Sequence, residues 1–449
     1  MGTEFRVNGY QNNWQRDSNV LALRDGGFLV TWSSYFNEYD DSDVVTNYVA
    51  AQFYNANAEA VGGETILRAL DGGYSGTPKA AQLENGNIVV TWAETPDDPI
   101  LTNDTYIAAQ IFNTSGQAVS GAFRVDTVKS NDSVAPDVVA TGNGGFVISF
   151  GAETGTRRFD EVYYRAYDEG GTALGKDRVL NPRSNEFDEL VTESAQLSNG
   201  HSVVIWNSEA AINDGSDDGR NQIRASLFDE DGRVIKKDFG LTPHFGGAGG
   251  FWGDSENYGY AVAEGRKGGF VVANLDWTHN KNDDGAMAIN FSAYNASGKQ
   301  TVDAFEVFKK GIVVGDLDIA RLANGQYVVA WSQQSLKNSD IGDDAYGLVL
   351  SASGKPVGKV FTVGEDITKY DEQMDVSVAA LTGGGFVITY TSESIDADDE
   401  GIAATYYAPG EKPGRYQQVE AADRFDFADG GTEALSVENA AHVDDGFMI

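Results

Sequence analysis

The most irregular stretches of the sequence carry side chains that could do acid–base chemistry. A long glycine-rich stretch contains His244, Tyr258 and Tyr260, and a second irregular stretch contains His279. Imidazole and phenol groups can exchange protons with a substrate, and a guanidinium such as that of Arg157 can neutralise a carboxylate. Together these residues could supply the base, the acid and the charge neutralisation that a polysaccharide lyase requires.

A glycoside hydrolase would instead need a pair of carboxylates flanking the scissile bond. Asp254, Glu256 and Asp276 are candidates for that pair. The same stretch of chain is also compatible with a structural plug that fills the mouth of the fold, so lyase, hydrolase and plug stay open at this stage.

Aromatic and cationic residues accompany these stretches. Aromatic rings stack on the apolar faces of sugars, while amides and guanidinium groups bind the hydroxyls or an acidic substituent. Surface ion pairs with the abundant acidic residues are the alternative role of the arginines. The predicted sugar-binding residues are Trp252, Trp277, Asn274, Trp14, Arg16, Arg158 and Arg183.

Acidic segments recur along the chain and favour a hard cation. Alternating Asp, Asn and Gly place oxygen ligands on a tightly turning backbone, which is what Ca²⁺ requires, although solvated loop tips have the same composition. The predicted calcium ligands are Asp214, Asp217, Asp218, Asp396, Asp398 and Asp399.

A repeat must position all of these residues. The phrase at residues 26–32, Gly-Gly-Phe-Leu-Val-Thr-Trp, returns loosely six more times at a spacing of roughly 56 to 60 residues, with one wider gap. Each unit reads as four strands, with Asn-Gly and Gly-Gly turns that suit tight hairpins. We therefore predict an all-β fold, a seven-bladed β-propeller of four-stranded antiparallel blades. The aromatic residues that end the repeated phrase are predicted to pack between blades.

The first strand of the sequence, around Phe5, resembles the fourth strand of a blade. We predict that it closes the ring by pairing with the strand at residues 403–407, with residues 415–419 as a competing candidate. The tight turns connect strands 1–2 and 3–4, whereas the long polar loops connect strands 2–3 and 4–1. All long loops should thus emerge on one rim, which we take as the working face. Blade five breaks the repeat, with Asn274 where other blades have an aromatic residue.

The overall composition of the chain limits the kinds of partner that it can bind. The chain has 449 residues, 68 acidic and 32 basic side chains, and a net charge of −36. Such a balance argues against a nucleic-acid partner, because phosphates are bound by clustered lysine and arginine. No apolar run is long enough to insert into a membrane. There is no cysteine, so disulfides and thiolate metal sites are excluded. We expect a monomer.

The repeat unit resembles those of large secreted bacterial proteins of the RTX, or haemolysin-type calcium-binding, group. The copies that carry this resemblance lie at residues 26–57, 86–126 and 384–407, and the glycine-rich calcium nonapeptides of the group are absent. The tail, with its acidic and apolar final residues, resembles a type I export signal. The resemblance implies an extracellular bacterial protein with a propeller at residues 1–420 and a tail at residues 421–449.

Three functions from different classes follow from the sequence. The first is a propeller that binds, and in one version processes, a polysaccharide or cell-surface glycan on its long-loop face with the help of Ca²⁺. The second is a polysaccharide lyase or glycoside hydrolase with one active site near blade five. The third is a structural adhesin or spacer domain.

Overall fold

The computed structural model describes most of the strands and fewer of the connections between them. The described residues are 2–10, 14–35, 46–71, 74–95, 105–128, 132–153, 161–181, 187–188, 192–210, 220–241, 259–279, 285–309, 313–334, 343–364, 372–393, 395 and 400–410. Among them, no helix is long and apolar enough to cross a membrane.

Seven antiparallel sheets form seven blades, as predicted. Blade 1 contains β2 (Trp14–Ala22), β3 (Phe28–Tyr35), β4 (Thr46–Tyr54) and β5 (Ala60–Asp71). Blade 2 contains β6 (Tyr74–Gln82), β7 (Ile88–Thr95), β8 (Tyr106–Phe112) and β9 (Phe123–Arg124). Blade 3 contains β10 (Asp132–Ala140), β11 (Phe146–Glu153), β12 (Glu161–Tyr167) and β13 (Arg178–Val179).

The remaining four blades follow the same order of strands. Blade 4 contains β14 (Phe187–Asp188), β15 (Thr192–Gln196), β16 (Ser202–Ala210), β17 (Arg220–Phe228) and β18 (Val234–Gly240). Blade 5 contains β19 (Tyr260–Glu264), β20 (Phe270–His279), β21 (Gly285–Tyr294) and β22 (Gln300–Lys309), with a short 3₁₀ helix at Arg266–Gly268. Blade 6 contains β23 (Val313–Arg321), β24 (Tyr327–Gln334), β25 (Asp343–Leu350) and β26 (Phe361–Thr362). Blade 7 contains β27 (Gln373–Ala380), β28 (Phe386–Ser392), β29 (Gly401–Tyr407) and β1 (Thr3–Arg6).

The N-terminal strand closes the ring. β1 pairs with β29 in antiparallel register, with Phe5 opposite Ala404, which confirms the predicted partner. Just beyond β1, the backbone N–H of Val7 donates to the carbonyl oxygen of Ile402 at 2.8 Å. The competing segment, residues 415–419, lies outside the described residues.

The second strand of each blade is covered on both faces, because neighbouring blades pack against it. In β3, β7 and β11 all residues but the last are buried. A strand buried on both sides reads as a continuous apolar run, and this is the repeated phrase of the sequence. The aromatic residues that end it are wholly buried, which confirms their predicted role in the core: Trp32, Trp92, Phe150, Trp206, Trp331 and Tyr390.

The tight turns all lie on one rim. Gly26 N–H donates to the carbonyl of Leu23 in a 1–2 turn, and Gly116 N–H donates to that of Asn113 in a 3–4 turn. Antiparallel order places both kinds of turn at the same end of a blade. The 2–3 and 4–1 connections therefore begin and end at the opposite rim, and most of their residues lie outside the described part of the chain.

Candidate functional site

The structure describes four of the side chains predicted to act on a ligand: Tyr260, Asn274, Trp14 and Arg16. His279, Trp277 and Asp276 lie in β20, and their side chains are outside the described part. The other predicted catalytic, sugar-binding and metal-binding residues lie outside the described residues altogether: His244, Tyr258, Arg157, Trp252, Arg158, Arg183, Asp254, Glu256, Asp214, Asp217, Asp218, Asp396, Asp398 and Asp399.

Tyr260 and Asn274 lie opposite each other on β19 and β20, in the interior of the ring. The hydroxyl of Tyr260 accepts from the backbone N–H of Asn207 in blade 4 at 3.2 Å. Asn274 is 1% exposed, and its Nδ2 donates to the carbonyl of Leu275 at 3.1 Å. Tyr260 therefore joins blade 5 to blade 4 below the surface, whereas the hydrogen bond of Asn274 stays within blade 5.

Trp14 and Arg16 lie at the start of β2, on the rim where the long connections emerge. The guanidinium of Arg16 donates from Nε and Nη2 to the two carboxylate oxygens of Glu400, a bidentate ion pair that ties blade 1 to blade 7. This hydrogen-bonded pairing raises the pKa of Arg16, against the effect of burial. The guanidinium carbon lies 5.1 Å from the centre of the Trp14 ring. The pair therefore presents a flat aromatic and cationic surface held in one orientation.

Tyr10 lies on the same rim as Trp14 and Arg16. Its side chain is 40% exposed, and its ring meets that of Tyr48 edge-on at 6.5 Å. The backbone N–H groups of Gly9 and Tyr10 both donate to Oε2 of Glu64, at 2.8 and 3.0 Å. The described part of the connection between β1 and β2 is thus bound to β5 beside Tyr10, a few residues before Trp14 in the sequence.

A ring of equivalent positions surrounds the axis where the first strands meet. Each position on a first strand is defined by the residue that it faces on the second strand. That residue immediately precedes the buried aromatic residue, or Asn274 in blade 5, as in the pair Lys79 and Thr91. The seven residues of this axial ring are Asn19, Lys79, Asp137, Glu193, Ala261, Asp318 and Ser377.

The axial ring contains one cation among three carboxylates. Nζ of Lys79 lies 3.1 Å from Oε1 of Glu193, so the ion pair joins blade 2 to blade 4. Burial raises the pKa of Glu193 to about 7, with the carboxylates of Asp137 and Asp318 adding to the effect and Lys79 opposing it. Burial also raises the pKa values of Asp137 and Asp318. For Lys79, burial acts downward but the attraction of the carboxylates outweighs it, and its pKa lies above the ordinary value.

A second set of carboxylates lies closer to the long-loop rim, at bulges in the first strands. Oδ2 of Asp375 accepts from the backbone N–H of Asp17 at 3.0 Å, and Asp316 accepts in the same way from Asp375. Asp17 and Asp375 have positive φ angles of 57° and 54°, and so does Thr77 at 47°. Blades 6, 7 and 1 thus each bind the strained bulge of the next blade with an aspartate side chain.

These two layers enclose a small axial cavity of about 40 Å³, whose lining includes Asp17, Lys79, Glu193, Asp318 and Asp375. A volume of that size holds water molecules but not a sugar ring. A glycan would therefore contact the rim rather than enter the axis.

Sequence reasoning missed Glu400 and the charged members of the axial ring. The available signal was the repeat itself. Asn19 precedes Val20-Leu-Ala, and Lys79 precedes the corresponding Ala80-Ala-Gln of the next blade. An alignment of the first strands on these phrases places Asn19, Lys79 and Asp137 at one position. Among the residues that the structure describes, no three His, Asp or Glu side chains are arranged to hold a metal ion. The predicted calcium ligands lie outside that part, so the calcium prediction stays a prediction.

Comparisons with known proteins find solved structures of similar fold but no matching family. No protein-family model matches the chain, and no curated protein matches it. Solved structures similar to it include a protein of unknown function from Dyadobacter fermentans, with 10% identity, a TM-score of 0.49, and coverage of 90% of this chain and 98% of that chain.

Two further similar structures are of carbohydrate-active enzymes. One is the GH93 alpha-L-arabinofuranosidase of Fusarium graminearum with arabinobiose, at 10% identity, a TM-score of 0.46, and coverage of 91% and 97% of the two chains. The other is the NanB sialidase from Streptococcus pneumoniae, at 10% identity, a TM-score of 0.49, and coverage of 90% and 70%. A likeness at this level carries no argument about the substrate or chemistry of this chain.

Proposed function

We propose that the chain is a glycan-binding propeller that holds a polysaccharide on its long-loop rim. The observation that carries the proposal is the surface formed by Trp14 and Arg16 beside Glu400. An indole ring can stack on the apolar face of a sugar, and the guanidinium keeps N–H groups beyond the two that bind Glu400. Because Glu400 already holds Arg16 in place, the surface of Trp14 and Arg16 loses little further conformational freedom when a ligand binds.

The electrostatics of the rim favour sugar hydroxyls over a sugar carboxylate. Arg16 already has Glu400 as its counter-ion, and the carboxylates of Asp17 and Asp375 lie close enough to raise the Arg16 pKa further. A uronate would meet a surface whose positive charge is already balanced. We therefore place a neutral polysaccharide ahead of an acidic one as the ligand.

Retention on a panel of neutral and acidic polysaccharides tests the proposal. We expect Trp14→Ala to weaken binding by at least about tenfold, the effect of losing one stacked ring. The matched control is Ile66→Ala, which removes an apolar side chain that is 56% exposed on the outer strand of blade 1. Retention of no polysaccharide by the wild type, or equal retention by Trp14→Ala, would refute the proposal.

The same samples distinguish binding from catalysis. A hydrolase would release new reducing ends, and a lyase would produce the ultraviolet absorbance of unsaturated uronates. His244→Ala and His279→Ala then test the predicted catalytic residues near blade five. A binding module would show neither product, while Trp14→Ala would still reduce retention.

Calcium and export belong to the proposal on the strength of the sequence alone. The acidic loops are proposed to bind Ca²⁺ and to order the rim, in a protein that leaves the cell by a type I route. A calorimetric titration with Ca²⁺ after chelation, repeated with Asp214→Asn and Asp396→Asn, tests the metal. A titration without heat change, or one unaffected by both substitutions, would remove calcium from the proposal.

A further inference from the structure

The tight turns of blades 5 and 6 carry more positive charge than those of the other blades. The structure describes all four of these turns, at residues 264–270, 294–300, 321–327 and 350–356. They contain five lysine and arginine side chains but a single carboxylate, that of Glu264. Nη1 of Arg321 lies 3.1 Å from Oε1 of Glu264, so this carboxylate is already paired.

The corresponding turns of blades 1 to 4 have the opposite balance of charge. They are residues 22–28, 54–60, 82–88, 112–118, 140–146, 167–173, 196–202 and 228–234. Together they contain eight carboxylates and two arginines, and in each of these four blades the carboxylates outnumber the arginines. The turn at residues 380–386 of blade 7 contains no charged residue. The excess of positive charge in the described tight turns is therefore confined to blades 5 and 6.

The exposed cations of these turns form a surface that we call the basic patch. Its members are Arg266, Lys267, Lys299 and Lys355. Within the part of the chain that the structure describes, none of the four takes part in an ion pair. A Cβ on Gly354 would overlap the ring of Phe291 in β21, so the turn that contains Lys355 packs directly on blade 5. The basic patch is thus shared by two neighbouring blades.

The C-terminal segment of the chain starts on the same rim, next to blade 6. β29 ends at Tyr407, at the end of blade 7 where the tight turns lie, and residues 411–449 lie outside the described residues. The ring of Tyr407 lies 5.5 Å from that of Phe361 in the outer strand of blade 6. The long 2–3 and 4–1 connections begin and end at the opposite rim. The C-terminal segment therefore begins beside the blade that carries Lys355.

The charge of this segment is complementary to that of the basic patch. Residues 420–449 contain eight carboxylate side chains, and Arg424 is their only lysine or arginine. The carboxylates belong to Glu420, Asp423, Asp426, Asp429, Glu433, Glu438, Asp444 and Asp445. Glu420 is ten residues beyond Gly410, and a flexible chain of that length spans about 17 Å on average. The first carboxylates can therefore reach blade 6, and the later ones can reach blade 5.

We propose that the basic patch binds the chain's own acidic segment, residues 420–449. Exposed ion pairs are individually weak, so several must act together. The covalent link compensates for this weakness, because it holds the segment near the patch at an effective concentration that is roughly millimolar.

The net charge of the protein favours this occupant over a foreign one. At −36, the molecule repels other polyanions at a distance, whereas a segment of the same chain cannot diffuse away. The basic patch lies on the rim opposite to Trp14, and its occupation is independent of the glycan proposal.

Energy transfer between two fluorophores on the full chain tests the proposal. The protein has no cysteine, so introduced cysteines carry the labels specifically. One label is placed in the segment with Ser436→Cys, and the other is placed with either Ala352→Cys or Ala56→Cys. Ala352 and Ala56 are exposed at the same place in the 3–4 turns of blades 6 and 1, the two neighbours of blade 7. A segment that binds neither side would give similar transfer to both positions.

We expect more transfer to position 352 than to position 56 at low salt. This difference should disappear at about 1 M salt, where the screening length falls to about 3 Å. It should also disappear in the double variant Lys299→Glu with Lys355→Glu, which reverses the charge of two members of the basic patch.

The matched control is Lys176→Glu with Arg178→Glu, which makes the same change of net charge at two exposed cations of blade 3. This variant should keep the difference between the two label positions. Equal transfer to both positions in the wild-type background, or equal effects of the two double variants, would overturn the proposal. Transfer between singly labelled chains in a mixture would assign the basic patch to a second copy of the chain and would equally overturn it.

Discussion

Lys79 faces more negative charge than it can balance. Glu193, Asp137 and Asp318 share this one cation in the axial ring, and burial raises the pKa of all three carboxyl groups. The side chains of Lys79 and Glu193 are 24% and 21% exposed, and the exposed parts line the axial cavity. The cluster therefore tends to retain a proton near neutral pH, and Glu193, with a pKa of about 7, is where we place it.

The raised pKa of Glu193 makes stability depend on pH. The folded state holds the proton more tightly than the unfolded state, so the benefit is fully present below the ordinary carboxyl pKa and is lost as pH rises toward 7. Glu193→Gln removes this titration. We expect the variant to gain about 1–2 kcal/mol of unfolding free energy relative to wild type between pH 5 and pH 8, measured by urea denaturation.

Glu84→Gln, at an exposed tight turn, is the control and should show no such gain. A wild type and a Glu193→Gln variant whose stabilities change in parallel over this range would show that Glu193 does not hold the proton.

The turn glycines connect one blade to the next. Gly354, in the 3–4 turn of blade 6, has a φ of 82°, and a Cβ there would overlap the ring of Phe291 in blade 5. Gly325, in the 1–2 turn of the same blade, has a φ of 81° and open space around it. The two glycines share the left-handed backbone and differ in what they touch.

This pair separates backbone strain from packing. Gly325→Ala should cost about 1 kcal/mol, the penalty of a left-handed alanine. Gly354→Ala should cost about 1–3 kcal/mol more, because the ring of Phe291 must move. Thermal and urea unfolding measure both variants. Equal losses would mean that the turn of blade 6 does not pack tightly on blade 5.

Several outer strands are followed by a residue whose buried side-chain oxygen accepts a hydrogen bond from the backbone of the third strand. Oδ1 of Asn8 accepts from the backbone N–H of Ile402 at 2.9 Å, and Oδ1 of Asn181 accepts from that of Val162 at 3.0 Å. The two bonds are equivalent in blades 7 and 3, but only the first one belongs to the closure of the ring. β1 is linked along the chain to blade 1 and held in blade 7 by hydrogen bonds and packing.

Because β1 closes the ring, loss of the Asn8 hydrogen bond should affect more of the fold than loss of the equivalent Asn181 hydrogen bond. Asn8→Ala and Asn181→Ala each leave a buried N–H without its partner, and each should cost about 1–3 kcal/mol. Asn8→Ala should in addition accelerate hydrogen exchange in β1, β29 and β2, because the closing strand can detach. Asn181→Ala should affect blade 3 alone. The same exchange pattern in both variants would contradict a closure that depends on β1.

The repeat predicted the blades well because its signals are local. Gly86 and Gly116 mark hairpin turns by their positive φ angles, and runs such as that of β7 mark strands buried on both faces. The partner of Phe5 followed from its likeness to Phe123 in an outer strand. The candidate sites followed less well, since the ligand-binding stretches do not repeat and have no internal pattern to align.

The sequence by itself determined the number of blades, the order of strands within them and the strand that closes the ring, because hairpin turns and two-sided burial are properties of neighbouring residues. Only the tertiary structure decided that Arg16 meets Glu400 and that Lys79 meets Glu193. These residues are distant along the chain, and closing a circle brings them together whatever their separation in sequence.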